Sequence, residues 1–261
     1  MPTIGGVDIA VTETGTGPAF LWGHGFTGSV AQEDVGRLLD WKRLGTHAHL
    51  VRWDAPGHGR STGTRDPDDY RWDRIGDALL DLADALGVER FVAGGVSMGA
   101  ATALHAAVRA PARVIGLVLV LPPTAYETRA AQVDDYTTGA ERVEREGVEA
   151  YVRVVDAKPQ PGILTGAAVA VPYETAVPAE LLPAALRGAA RSDLPAPEQV
   201  RAVTAPVLIL AWDTDPGHPL STAERLAELL PDAELVIARR LRDVVPWTDR
   251  VAAFLDEHAR G

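Results

Sequence analysis

The stretch FVAGGVSMGAATALHAAVR, residues 91–109, decides the fold. It begins with a short apolar run typical of a buried strand and ends with apolar residues at helical spacing. Between them, Gly95 to Gly99 read GVSMG, a G-x-S-x-G motif in the strand–turn–helix context that this motif requires. A serine on so sharp a turn has a strained backbone, and the flanking glycines remove side chains that would collide with the neighbouring strand and helix. We therefore predict that Ser97 is an exposed nucleophile above the sheet edge; a tight turn with a capping serine is the alternative.

Short β-rich runs alternate with helix-like stretches along most of the chain. The predicted strands are Ala19 to Leu21, Leu50 to Trp53, Phe91 to Ala93, Val114 to Leu121, Val207 to Ala211 and Glu234 to Ile237. The predicted helices are Trp72 to Leu86, Ala100 to Arg109, Thr222 to Leu230 and Thr248 to His258. Such alternation is typical of an α/β fold with a mostly parallel, doubly wound sheet covered on both faces.

The segment 122–202 interrupts this alternation. It lacks a convincing strand and is rich in proline, which ends or kinks helices. Its best helices run from Glu141 to Val155 and from Ala179 to Ala190. We expect a helical cap, or lid, over the carboxyl edge of the sheet, where open α/β folds bind ligands. The predicted organisation is a core domain, residues 1–121 and 203–261, with a cap at 122–202.

Length and composition describe an ordinary globular protein and exclude several classes of function. The 261 residues are 46% hydrophobic and 23% charged, enough to bury a full core. With 25 Lys+Arg against 36 Asp+Glu, the net charge of −11 would repel a phosphate backbone, so we expect no nucleic-acid partner. The absence of cysteine excludes disulfides, thiolate metal sites and cysteine nucleophiles.

The sequence also indicates the cellular location of the protein. Its longest apolar run, Val114 to Pro123, is about half of the ~20 residues that a membrane helix requires. The segment from Met1 to Ile9 has neither the basic nor the apolar region of a secretory signal. We therefore expect a cytoplasmic protein that is not associated with a membrane.

Three further segments, together with GVSMG, resemble the α/β-hydrolase superfamily, in particular its capped esterase, enol-lactonase and C–C hydrolase branch. Residues 24–29, HGFTGS, are similar to the family's oxyanion-hole loop. Residues 54–61, DAPGHGRS, resemble its tight turn after the next parallel strand. Residues 206–219, PVLILAWDTDPGHP, are similar to the strand and loop that carry the triad acid. The resemblance covers essentially the whole chain, and the cap is its least specific part.

The resemblance implies a role for individual residues. Ser97 matches the nucleophile, and the backbone N–H groups of Phe26 and Met98 match the two oxyanion donors. Removing one such donor costs of order 3 kcal/mol of transition-state stabilisation. Asp215 matches the triad acid, and Asp213, on the same loop, is its nearest rival.

The residues around this site predict the kind of substrate. His24, Gly25 and Trp22 lie on or next to the oxyanion loop and are candidate substrate-binding residues, although His24 usually braces this loop in the family. With Phe26 and Met98 beside them, we expect a small to medium, uncharged and mainly apolar substrate. The cap tyrosines Tyr126, Tyr136, Tyr151 and Tyr173 line the pocket or, as the default, pack the cap.

One part of the family pattern is missing. Serine is a poor nucleophile until a neighbouring imidazole takes its proton, and the family places that histidine after the last strand. In this chain the corresponding residues 238–247 are ARRLRDVVPW, with no histidine. His218, three residues beyond Asp215, and His24 are the remaining candidates on reach.

Three functions are compatible with these features. The first is a serine hydrolase for an ester, lactone or related carbonyl compound, with an unidentified base. The second is a non-hydrolytic lyase or cyclase that uses the same pocket, and the third is a catalytically inactive ligand-binding homologue. The intact serine turn favours the first, and it argues against dehalogenase and epoxide hydrolase activity, for which relatives place aspartate at the turn. No metal or organic cofactor is implied, and a homodimer is compatible with the sequence.

Overall fold

The computed structural model describes residues 1–164 and 173–259. Their strands are β1 (Thr3–Ile4), β2 (Val7–Asp8), β3 (Val11–Thr14), β4 (Ala19–Gly23), β5 (His49–Trp53), β6 (Phe91–Val96), β7 (Val114–Val120), β8 (Val207–Trp212) and β9 (Ala233–Ala238). Every predicted strand is present, as β4 to β9. β1 to β3 were not predicted, because they are two to four residues long and lack a continuous apolar run.

Strands β3 to β9 form one seven-stranded sheet in the order β3-β5-β4-β6-β7-β8-β9. β3 is antiparallel to β5, whereas all the other neighbouring pairs are parallel. β1 and β2 form a separate antiparallel pair. The predicted mostly parallel sheet is therefore confirmed. β6 lies at its centre, so the turn after β6 is flanked by the carboxyl ends of β4 and β7.

Helices cover both faces of the sheet and fill the segment between β7 and β8. They are α1 (Val30–Gly36), α2 (Trp41–Leu44), α3 (Trp72–Ala85), α4 (Met98–Arg109), α5 (Arg129–Glu146), α6 (Val148–Asp156), α7 (Leu182–Ala190), α8 (Pro197–Arg201), α9 (Leu220–Leu229) and α10 (Trp247–His258). The four helices predicted for the core correspond to α3, α4, α9 and α10. None of the helices in the described ranges is long and apolar enough to cross a bilayer.

The two faces of the sheet have separate cores. In β4, Phe20 and Leu21 are adjacent and both fully buried, yet they belong to different clusters. Leu21 packs with residues of α3, α4 and α9, and Phe20 packs with residues of α10. Side chains alternate between the faces of a strand, so a strand buried on both sides must be apolar throughout. This explains the continuous apolar runs from which the strands were predicted.

Among its described residues, the chain between β7 and β8 consists of helices joined by irregular segments and contains no strand. The prediction of one helix from Glu141 to Val155 is wrong, because Gly147 adopts φ +86° and separates α5 from α6. The second predicted helix is present as α7. α7 packs on α5 and on the 3-10 helix Pro67–Tyr70, where Tyr70 belongs to the same buried cluster as Leu186. The domain boundaries at 122 and 202 stay a prediction.

Candidate active site

Ser97 occupies the turn between β6 and α4 in a strained conformation. Its backbone angles are φ +55° and ψ −112°, outside the regions that non-glycine residues favour. Such a residue costs on the order of 1–3 kcal/mol and persists only where the surroundings hold it. The Ser97 N–H donates to the Val120 carbonyl at 3.0 Å, and the Ser97 carbonyl accepts from the Ala101 N–H at 3.1 Å. The turn is therefore anchored to β7 and to the first turn of α4, and the serine side chain is partly exposed.

The glycines on either side of Ser97 allow α4 to approach the end of β4. A Cβ atom at Gly95 would lie 2.6 Å from the Gly23 carbonyl oxygen, and one at Gly99 would overlap the same carbonyl group. Real Cβ atoms do not come so close to backbone, so any larger residue would force the two elements apart. The motif glycines thus fix the position of the loop after β4 relative to Ser97.

The loop after β4, residues 24–29, passes beside the serine turn. A Cβ atom placed on Gly25 would lie 3.7 Å from the Ser97 Cβ. Met98 is the first residue of α4, so its N–H group has no acceptor within its own helix. In the described ranges, neither this N–H nor that of Phe26 donates a hydrogen bond to another residue. Both donors are therefore available to a ligand oxygen, which is what the predicted oxyanion hole requires.

His24 is committed to bracing this loop. The Ala55 N–H donates to His24 Nε2 at 3.0 Å, so this nitrogen carries no proton, and Nδ1 donates to the Gly25 carbonyl at 2.8 Å. Burial lowers the pKa of the imidazole and keeps it neutral. Both ring nitrogens are used, so neither is free to accept the Ser97 proton. These hydrogen bonds agree with the bracing role that the resemblance implies. His24 also lines the cavity described below, and its role as a substrate-binding residue stays a prediction.

The turn after β5 is held by the buried side chain of Asp54. Its carboxylate accepts from the N–H groups of Val30, at 2.8 Å, and Arg60, at 3.0 Å. His58 is fully buried and donates from Nδ1 to the Pro56 carbonyl at 2.9 Å. Burial, with the neighbouring His24, lowers the pKa of His58 to about 3. These contacts are those of turn residues, as the resemblance implies.

Asp215 lies on the loop after β8 and is the centre of a hydrogen-bonded group. Its Oδ2 accepts from Trp212 Nε1 at 2.8 Å and from His218 Nδ1 at 2.9 Å, while Oδ1 accepts from the Gly217 N–H at 2.9 Å. Burial opposes ionisation of the carboxyl group, but these hydrogen bonds outweigh burial and hold the pKa of Asp215 below its usual value. Its rival Asp213 instead faces Arg239, with 3.4 Å between Oδ2 and Nη1. The geometry therefore favours Asp215 as the triad acid.

The loop after β9, where the family has its histidine, is shaped by Asp243. Its Oδ2 accepts from the N–H groups of Arg239 and Arg240 at 3.2 and 3.0 Å. This carboxylate closes the 3-10 turn Leu241–Asp243 and is used structurally. The loop thus offers no base for Ser97.

Histidines elsewhere in the fold are engaged away from the serine. His105, on α4, donates from Nε2 to the Asp193 carbonyl at 2.9 Å, and burial lowers the pKa of its imidazole. His47 and His49 lie before and at the start of β5, at the opposite edge of the sheet from Ser97. The described residues contain no group of three or more His, Cys, Asp or Glu side chains that could hold a metal ion.

Aromatic residues of the chain between β7 and β8 contact the loop after β4. The Tyr136 ring packs edge-on against Phe26, with 5.1 Å between ring centroids. The Tyr173 hydroxyl donates to Thr27 Oγ1 at 2.8 Å, and Tyr151 packs against the Tyr173 ring. Tyr136 and Tyr173 thus contact the loop after β4, and Tyr151 packs against Tyr173. The link between Thr27 and Tyr173, 146 residues apart, had no signal in the sequence.

An apolar cavity of about 250 Å³ opens beside the serine turn. Its walls include Trp22, Gly25, Leu38, Trp41 and Val96, the last of which precedes Ser97. A wider cleft of about 980 Å³ shares Leu38 and Trp41 with it. The three predicted substrate-binding residues, Trp22, His24 and Gly25, all line this cavity. Leu38 and Trp41 were not predicted, because they come from the poorly patterned segment around α1 and α2.

Glu33 is a buried carboxyl group in the wall of this cavity. It accepts from Trp22 Nε1 at 2.9 Å and from Arg52 Nη2 at 3.3 Å. Burial nevertheless raises the pKa of Glu33 to about 7. Two arginines that could bind a charged substrate are already paired: Arg129 donates to the Ser192 carbonyl at 2.7 Å, and Arg187 binds Glu144 at 2.7 Å.

Comparison with known proteins supports this architecture. Residues 18–139 match a family model described as "alpha/beta hydrolase fold". A Caulobacter sp. (strain K31) protein named "Putative carbamate hydrolase RutD" is 28% identical, over 76% of this chain and 72% of its own. An Agrobacterium fabrum protein of the same name is 27% identical, over 84% of each chain.

Solved structures of low sequence identity have the same fold. The enol-lactonase from Burkholderia xenovorans LB400 superposes with a TM-score of 0.81 at 19% identity, over 98% of this chain and 99% of that chain. A thermophilic esterase from Thermogutta terrifontis gives a TM-score of 0.75 at 23% identity, over 96% and 92%. The sheet order and the serine turn define an α/β hydrolase scaffold. The resemblance to the α/β-hydrolase superfamily is confirmed, and the chain has the α/β-hydrolase fold.

Proposed function

We propose that this protein is a serine hydrolase that attacks the carbonyl carbon of an ester, a lactone or a related compound. Ser97 is the nucleophile, and the N–H groups of Phe26 and Met98 bind the oxyanion. The observation that carries the proposal is the strained backbone of Ser97, φ +55°, which is held between β6 and α4 by close glycine packing. A conformation that costs stability and exposes a hydroxyl beside two unengaged N–H donors has a chemical use.

The kind of substrate follows from the surroundings of Ser97. Relatives and structural neighbours include proteins named as a carbamate hydrolase, an esterase and an enol-lactonase. These names support a substrate with an activated carbonyl group. The cavity lined by Trp22, Leu38 and Trp41 supports an apolar group of modest size, and the pairing of Arg129 and Arg187 leaves neither to bind an anionic one.

A second function is favoured by the loop after β9. Residues 239–246 contain no histidine, and Asp243 is occupied by backbone N–H groups. A site that keeps its oxyanion donors but lacks a base at this position suits a lyase, a cyclase or a ligand-binding protein. Covalent labelling of the serine separates this alternative from hydrolysis by a serine nucleophile.

The proposal is tested by reaction with a fluorophosphonate probe, since phosphonylation requires an activated serine. We expect intact-mass analysis to show a single adduct on the wild type and none on Ser97→Ala. Ser221→Ala, which removes an exposed serine on α9, is the matched control and should keep the adduct. The same proteins are assayed with p-nitrophenyl acetate, butyrate and octanoate. A folded wild type that neither forms the adduct nor hydrolyses any ester would refute the proposal.

A further inference from the structure

Three histidines follow the carboxyl ends of sheet strands in the described structure: His24 after β4, His58 after β5 and His218 after β8. The first two are buried and are held neutral in hydrogen bonds within their own loops. His218 is different, because its side chain is 26% exposed and its Nδ1 is bound to the carboxylate of Asp215. Its Nε2 has no hydrogen-bond partner among residues 1–164 and 173–259.

We propose that His218, oriented by Asp215, is the general base for Ser97, in place of the histidine that the family carries after the last strand. This inference rests on the proposed function and identifies the general base, which that function leaves unassigned. The histidine and the acid are then three residues apart on one loop. In the pattern that the resemblance implies, they come from loops after two different strands.

The hydrogen bonds of Asp215 set up His218 for this role. With Nδ1 donating to Asp215 Oδ2 at 2.9 Å, the neutral imidazole carries its only proton on Nδ1 and its free electron pair on Nε2. A general base needs this tautomer, and a carboxylate that holds it also stabilises the imidazolium that forms. Trp212 and the Gly217 N–H hold the carboxylate at 2.8 and 2.9 Å, so it cannot rotate freely away from the ring.

The sheet places the His218 loop within reach of the serine. Val96 pairs with Val120, and Val120 pairs with Leu210, so the end of β6 is level with a point two residues before the end of β8, and only β7 separates the two strands. Two strand spacings amount to roughly 10 Å between backbones. The Gly217 carbonyl accepts from the Thr124 N–H at 3.2 Å, which draws the loop towards the end of β7 and hence towards Ser97. No hydrogen bond joins His218 to Ser97, so the ring must turn or the loop must close when substrate binds, as catalytic contacts often tighten only in the complex.

The reaction balances with these groups and water. Ser97 Oγ forms a bond to the substrate carbonyl carbon while His218 Nε2 takes the hydroxyl proton, and the carbonyl π electrons move to the oxygen held by the two N–H donors. When the C–O bond to the leaving group breaks, the imidazolium gives its proton to the departing oxygen. Water then attacks the acyl-enzyme, His218 takes a proton from it, and that proton returns to Ser97 Oγ. The net change is ester plus water to acid plus alcohol.

The test compares His218→Ala and His218→Gln with the wild type in ester hydrolysis and in the rate of fluorophosphonate labelling. We expect both rates to fall by roughly 10²- to 10⁴-fold, the usual contribution of general acid–base catalysis. Added imidazole should restore part of the activity of His218→Ala but none of Ser97→Ala, because only the former lacks a base. His49→Gln is the matched control and should retain wild-type rates, because His49 is the first residue of β5 and lies at the end of the sheet opposite to Ser97.

The possible results separate this inference from the proposed function. If both His218 variants keep rates within about three-fold of the wild type while Ser97→Ala is inactive, the serine uses another base and the inference is overturned, but the hydrolase proposal stands. If the variants lose activity together with thermal stability and imidazole restores nothing, His218 is a structural residue and the inference is again overturned. A folded wild type without labelling or hydrolysis overturns both.

Discussion

Substitution of Gly99 by alanine tests whether the contact between β4 and α4 fixes the active site. The new methyl group would overlap the Gly23 carbonyl and lie 3.0 Å from the carbonyl oxygen of His24. Overpacking costs about 1–3 kcal/mol, and because backbone cannot change rotamer we take the upper end. Alanine recovers about 0.5–1 kcal/mol of helix propensity, which leaves a net loss of about 2 kcal/mol. At about 2–4 °C per kcal/mol for a chain of this size, the expected fall in Tm is roughly 4–8 °C.

The same substitution should damage catalysis more than stability. Relief of the overlap must move the loop after β4 away from Ser97, and a displacement of about 1 Å can cost on the order of 10²-fold in rate. Thermal unfolding followed by circular dichroism and the rate of fluorophosphonate labelling measure the two effects. Gly36→Ala is the matched control for stability, since a Cβ at this position of α1 meets no atom within 4 Å, and it should leave the Tm unchanged. If Gly99→Ala kept its Tm within 2 °C and its labelling rate within two-fold, the glycine packing would not position the site.

Two further predictions concern buried carboxyl groups. Burial raises the pKa of Glu33 from 4.5 to about 7, so its contribution to stability is complete below pH 4.5 and is lost as pH rises through 7. From pH 4.5 to 8, the wild type should therefore lose about 3 kcal/mol in free energy of unfolding relative to Glu33→Gln, as measured by urea titrations. If the free energies of unfolding of the two proteins varied in parallel with pH, this pKa would be contradicted. Asp215→Asn should lower kcat by roughly 10²- to 10⁴-fold, because the amide no longer fixes the tautomer of its histidine partner. Asp213→Asn should change kcat less than two-fold, and equal losses in the two variants would show that Asp215 has no special role.

The core of the fold could be predicted because its signals are local. Each parallel strand is buried on both faces, so runs such as Val114 to Leu121 are apolar without interruption. The glycines around Ser97 indicate the sharp turn between a strand and a helix that the G-x-S-x-G motif requires. The edge strand β3 could not be found in this way, because none of its four residues is fully buried and its partner, β5, lies far along the chain. In the cap, apolar spacing continues across Gly147, and only the left-handed backbone of that residue shows where α5 ends.

The site was less predictable because it depends on contacts between distant segments. The sequence indicated Ser97 and Asp215 through motif and position, but the choice between Asp215 and Asp213 needed the hydrogen bonds of Trp212 and Gly217. His24 could not be separated from the candidate bases until the Ala55 N–H was seen to occupy its Nε2. Tautomers and partners of this kind follow from the fold and leave no pattern in the chain.

The placement of acid and base on one loop has a mechanical consequence. If His218 is the base, residues 213–219 move the carboxylate and the imidazole as a unit, and their mutual geometry does not depend on how β8 and β9 sit relative to each other. The distance to Ser97 is then set by the loop's contact with Thr124, at the end of β7. The loop after β9 then has no catalytic role, which agrees with the use of the Asp243 carboxylate to close its own turn. A histidine introduced at Asp243 would remove that closure, so it would not restore the family arrangement.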